Sequence, residues 1–164
     1  MMKNYFYCFF IAMVPLIELR GAIPIAQAFH VADPTFNMLI AYVLVAIGNM
    51  LPVPFIFFFA RRVLEWGADK PIIGKFFTWC LEKGHKGGEK LKATAGRGLY
   101  WALLLFVGIP LPGTGAWTGT LAASFLDMDF KKSVLAILGG VALAGVIMAT
   151  ISFLVASGVT TAIG

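Results

Sequence analysis

Pro15-Leu16-Ile17-Glu18-Leu19-Arg20-Gly21-Ala22-Ile23-Pro24 places two opposite charges between two prolines in the middle of an apolar run. A water-soluble core has no use for such an arrangement. The flanking apolar arms, Tyr5 to Ile17 and Ala22 to Val31, are roughly 10 to 13 residues long, too short to cross a bilayer that demands about 20. They can enter it and turn back. The prolines and Gly21, free to take positive φ, predict a sharp break where the chain turns. Glu18 and Arg20 then lie at the tip, deep in the membrane and facing one another as partners. Charge at that depth is costly and marks a functional site.

Composition agrees with this reading. The chain has 164 residues, 60% hydrophobic and 13% charged, with a mean hydropathy of +0.88. That is far too apolar for an ordinary soluble domain and predicts an all-α integral membrane protein. The net charge of +5 does not point to nucleic acid, because the basic residues cluster beside apolar spans as at a cytoplasmic membrane face. Cys8 and Cys80 fall at different depths, so no disulfide is expected, and no metal spacing or cofactor motif occurs.

Lys3, the apolar run behind it and Ala26-Gln27-Ala28 imitate a secretory signal and its cleavage site. The charged, proline-bounded tip does not fit that alternative, and neither does its repetition later in the chain.

After the Asp33-Pro34 turn, Phe36 to Ala60 is uncharged and long enough to span a bilayer with some tilt. Gly48, Asn49, Pro52 and Pro54 interrupt it. The prolines free carbonyls four residues back, and Asn49 adds hydrogen-bonding groups that could line a cavity near Glu18; the alternative is a plain kink. Arg61 to Gly98 holds nine of the thirteen Lys and Arg and reads as a cytoplasmic linker. Its Ile72 to Lys83 portion has the pattern of an amphipathic helix on the membrane surface. Gly84-His85-Lys86-Gly87-Gly88 lacks the flanking strand and Lys-Ser/Thr of a phosphate loop and reads as a hinge.

Leu99 to Ile109 is another short arm. It ends in Pro110-Leu111-Pro112-Gly113-Thr114-Gly115-Ala116-Trp117-Thr118-Gly119, a second broken hairpin, followed by a polar turn at 127–132 and an uncharged span from Ser133 to Ala156. A shift of 94 pairs Gly21 with Gly115, Ala22 with Ala116, Asp33 with Asp127 and Phe36 with Phe130, as in an internal duplication. The predicted plan is two inverted repeats, 1–60 and 99–164, each a re-entrant helical hairpin plus one transmembrane helix, joined by the linker 61–98. Lys131 and Lys132 return to the linker's side, which puts both termini outside the cell membrane. Paired, glycine- and proline-broken short segments point to a transporter with its site at the midplane. Two spans and two hairpins offer little protein to bury non-helical tips, so a homo-oligomer, a dimer, is expected. Gly139, Gly140 and Gly145 could let the last span approach a neighbour.

The two quoted motifs, in this order and over nearly the whole chain, resemble the small multidrug export family of prokaryotic membrane proteins. More distantly, the two-hairpin plan is similar to the DedA-like superfamily, whose members include flippases for polyprenyl phosphate carriers. That likeness implies arginines in the second hairpin, which are absent here; its tip carries Thr114 and Thr118 instead.

Half-helices beginning near Ala22 and Ala116 would aim their unpaired N–H groups and positive dipole ends at the membrane middle. Together with Arg20, Gly21, Gly113, Thr114, Gly115, Thr118 and Asn49, they are the candidate binding groups for an anionic amphiphile such as a lipid-linked phosphate. Glu18 is the candidate proton carrier. Export of hydrophobic cations, as the family name implies, and a non-transporting scaffold or channel are the competing readings. No nucleophile-and-base set suggests an enzyme.

Overall fold

The computed structural model describes residues 2–71, 74–75, 78–79, 82 and 98–163. Among these the secondary structure is helical throughout: α1 (Met2–Met13), α2 (Glu18–Ala32), α3 (Met38–Met50), α4 (Val53–Ala68), α5 (Leu99–Gly108), α6 (Ala116–Phe125) and α7 (Phe130–Ile163). The amphipathic pattern of the linker and its glycine hinge, including Cys80 and His85, lie outside the described residues, apart from a few isolated positions.

The first break is tighter than the sequence predicts. Residues before a proline avoid helical backbone, and α1 stops at Met13, just ahead of Val14-Pro15. Leu16 (φ 71°) and Glu18 (φ 49°) take the left-handed region, at a cost of about 1–2 kcal/mol each for residues with a Cβ. The second arm begins at Glu18, not near Ala22. Pro24 lies inside α2, where it removes only the bond to the Arg20 carbonyl and does not end the helix.

α1 and α2 fold back on one another. Tyr5 near the start of α1 stacks on Phe36 beyond the end of α2, with centroids 4.3 Å apart, and the Asn37 N–H donates to the Tyr5 hydroxyl at 2.7 Å. Between α2 and α3, Asp33 accepts from the Thr35 N–H and hydroxyl, which hold its carboxyl below the ordinary carboxylate range. Asn37 then caps α3 by accepting from the N–H groups of Leu39 and Ile40.

The expected single span over 36–60 is two helices meeting at Leu51-Pro52. Both residues keep helical backbone, so the apolar run Met38–Phe59 stays continuous over 22 residues. Pro52 and Pro54 interrupt the bonding there without reversing the chain, and α4 runs past the expected boundary at 60 to Ala68. Gly48 sits where a Cβ would come within 2.5 Å of the Phe9 carbonyl oxygen, so α1 packs directly on its backbone.

α5 and α6 flank a break over 109–115, and α7 begins at Phe130, three residues before the expected Ser133, after the turn at 126–129. A Cβ on Gly119 would meet Val107, and Cβ atoms on Gly139 and Gly140 would meet Leu104 and Val107. These glycines bring α5, α6 and α7 together within one chain. Ser124 at the end of α6 donates to the Phe57 carbonyl at 2.8 Å, and Phe57 and Phe58 pack on Phe130 at the start of α7. One core joins the halves: Ile23, Phe36 and Val45 are fully buried along with Leu103, Val107, Ile137 and Val141.

Among the described residues, two stretches are long and apolar enough to cross a membrane, Met38–Phe59 and Phe130–Gly158. Gly145, the midpoint region of the latter, faces the Leu19 side chain, which would lie 3.7 Å from a Cβ there. The first break is thereby seated level with the middle of the α7 span.

Candidate functional site

The two breaks meet through the two charges. Glu18 is only 5% exposed, and its Oε2 and Oε1 accept from the backbone N–H groups of Ala116 and Trp117, each at 3.0 Å. These are among the first donors of α6, which no carbonyl of that helix can satisfy. The carboxylate therefore caps the start of a helix nearly a hundred residues away, where the dipole favours negative charge. Gly115 makes this possible twice over. Its φ of 138° suits glycine, and any Cβ there would overlap the Glu18 carboxylate.

Arg20 makes the reciprocal crossing. Its Nη1 donates to the Leu111 carbonyl and its Nη2 to the Thr114 hydroxyl at 2.5 Å. That hydroxyl has the Ile109 and Leu111 carbonyls within reach of its own proton, both at 2.9 Å. Glu18 and Arg20 thus hydrogen-bond to the second break and not to one another, although each feels the other's opposite charge. Each fixes a different part of the second break, so four charge-assisted hydrogen bonds, stronger than neutral ones, join the halves at their tips.

Around this junction lies a cavity of about 580 Å³, lined by Glu18, Arg20, Gly113, Thr114, Thr118 and apolar groups including Leu16, Leu111, Pro112, Trp117 and Leu121. Of the sequence-derived candidates, the structure brings Glu18, Arg20, Gly113, Thr114 and Thr118 to one wall. Gly115 stands directly behind Glu18. Gly21 does not belong to the wall, because it sits within α2 against the Ile17 side chain. Asn49 does not either. It is 2% exposed, its Oδ1 has no hydrogen-bond partner, and it is absent from the cavity lining. It is buried in the helix packing instead.

Trp117 and the leucines of the wall escape a reading based on polar residues. Trp117 contributes its backbone N–H to Glu18 and its ring to the cavity, while its indole N–H is buried without a partner. Its place directly after the glycine-rich tip was the available signal. Among the described residues, no three His, Cys, Asp or Glu gather as metal ligands would.

The cavity sets one guanidinium, one carboxylate and a threonine-bearing backbone turn against an otherwise largely apolar lining. Compared with known proteins, residues 18–147 match the family described as "Putative small multi-drug export protein", a stretch that includes both charges and the whole second break. No curated protein and no solved structure matches the chain, and none of these comparisons carries the DedA-like resemblance.

Proposed function

The chain belongs to the family of putative small multidrug export proteins, and from that premise we propose that it is a secondary transporter whose substrate, an anionic amphiphile, occupies the cavity between the two breaks. The observation that carries this reading is the Glu18 carboxylate seated on the start of α6. A helix start and an adjacent guanidinium form an anion seat, and here a side chain from the other half of the protein fills it.

Protonation supplies a way to empty that seat. A neutral carboxyl accepts more weakly than a carboxylate, and its new O–H would face two N–H donors. Glu18 then lets go of at least one of them, and the phosphate or carboxylate of the substrate takes its place beside Arg20. Proton and anion would move together. The apolar lining holds the rest of the amphiphile, and no covalent step is required.

Inverted hairpins give this exchange its alternation. Supporting inversion, the open end of the first hairpin lies at the start of α3, where Tyr5 meets Phe36. The open end of the second lies at the start of α7, beside Phe57 and Phe58. The hairpins would enter from opposite faces, with the linker cytoplasmic and both termini outside. Rocking of one hairpin against the other would break the contacts of Glu18 and Arg20 in turn.

A second reading, export of hydrophobic cations, is favoured by the family description and by the Trp117 ring in the wall. A cation would compete with the proton for Glu18, so the two would cross in opposite directions. Proteoliposomes loaded with a pH-sensitive dye decide between the readings. Addition of a long-chain alkyl phosphate should carry protons in with the anion, and Arg20→Lys should weaken its uptake about tenfold or more, the loss of one charged hydrogen bond. Glu18→Gln should bind the alkyl phosphate without moving protons. Proton movement opposite to a lipophilic cation, surviving in Arg20→Lys, would replace the anion reading with the cation one.

A further inference from the structure

The apolar stretch Met38–Phe59 ends at the level where Phe130–Gly158 begins, because the rings of Phe57 and Phe58 pack on Phe130. That level is a border of the hydrocarbon, where lipid headgroups start. A second cavity, of about 510 Å³, lies there and shares no residue with the one between the breaks. Small-molecule sites commonly enclose about 300–1,000 Å³.

The lining of this cavity is divided. Phe57, Phe58 and Met128 form its apolar part, and Arg62, Glu65 and Asp127 its charged part. Arg62 and Glu65 stand three residues apart on α4, hence on one face of the helix, just beyond the end of the apolar stretch. Along α4 the lining therefore passes from apolar to charged as the chain leaves the membrane. Asp127 joins it from the turn between α6 and α7. At that depth an amphiphile meets both kinds of lining at once.

Charge narrows the headgroup. Pockets for anionic lipids are basic, whereas here one guanidinium faces two carboxylates. We propose that the cavity binds one phospholipid whose headgroup carries a phosphate and a primary ammonium, phosphatidylethanolamine, with Arg62 taking the phosphate and Glu65 and Asp127 the ammonium. A guanidinium fork suits phosphate oxygens, and an ammonium has three N–H donors to share between two carboxylates. The trimethylammonium of phosphatidylcholine has the same charge but no N–H to give. The bound lipid would tie the span of the first half to the hairpin of the second. This inference rests on the membrane placement of the two apolar stretches and not on the substrate reading.

Native mass spectrometry tests it on the full chain, released from detergent micelles that hold equal amounts of phosphatidylethanolamine, phosphatidylcholine and phosphatidylglycerol with the same acyl chains. Phosphatidylethanolamine should be retained over each competitor by about tenfold, the worth of one charged hydrogen bond. Arg62→Gln should remove most of that retention. Glu65→Gln combined with Asp127→Asn should leave Arg62 unopposed and turn the preference to phosphatidylglycerol, a reversal that loss of folding cannot produce. Equal retention of the three lipids by the unaltered chain, or preference for either competitor, would overturn the proposal without recourse to any substitution. So would an unchanged preference in both variants. Displacement of the lipid by an equal concentration of water-soluble glycerophosphoethanolamine would overturn it as well, since a free headgroup would then suffice.

Discussion

At the scale of single residues, Gly21 and Gly115 occupy equivalent places in the two sequence repeats but have different duties. Gly21 has helical backbone, and a Cβ on it would press on the side chain of Ile17, an exposed residue able to turn aside. Gly115 combines φ of 138° with contact to the Glu18 carboxylate. Gly115→Ala should therefore cost at least the roughly 1–3 kcal/mol of a strained backbone position and dislodge the carboxylate as well. Gly21→Ala should be much milder. Thermal unfolding in detergent compares the two directly, and equal losses would refute the difference. The charged tip and the glycine-rich second break were legible from sequence because charge and glycine are conspicuous in an apolar chain. The partners of the charges were not. Proximity in sequence suggested that Glu18 and Arg20 pair; they do act on one another electrostatically, but their hydrogen bonds go to the other break.

At the scale of elements, the apolar runs and turn residues located four short arms and two spans, but not the division of the first span at Leu51-Pro52 or the extension of α4 to Ala68, and the effect of each proline was less readable. Pro15 stops a helix, Pro24 is absorbed inside one and Pro52 bends a run that continues. Proline always removes a donor; whether the chain then reverses depends on neighbours, which here means the left-handed Leu16 beside Pro15. The cap of α3 carries a sharper expectation. Asn37 accepts from two N–H groups at 2.9 and 3.2 Å, and Asn37→Ala should lower stability by about 1 kcal/mol. Asn37→Asp should keep most of it. Denaturant titration of the folded fraction checks both substitutions, and an unaffected alanine variant would show that water caps α3 equally well.

At the scale of the whole molecule, the two breaks are joined by the hydrogen bonds of Glu18 and Arg20, and the proposed orientation can be tested without knowing a substrate. With the native cysteines replaced, Pro34→Cys on intact cells should react with an impermeant maleimide, while Lys70→Cys should react only after the cells are opened. The reverse pattern would invert the topology. The two breaks were visible in sequence as glycine- and proline-bearing stretches, but their contact was not, because no periodicity connects residue 18 with residue 116. That contact also sets a timetable for biosynthesis. Glu18 leaves the ribosome 98 residues ahead of Ala116, a lag of roughly 5 to 20 s at ordinary translation speeds of about 5–20 residues per second. During that interval the nascent first half carries a carboxylate whose seat has not yet been made. Until the second half follows, that carboxylate lacks the two backbone donors that hold it in the finished protein.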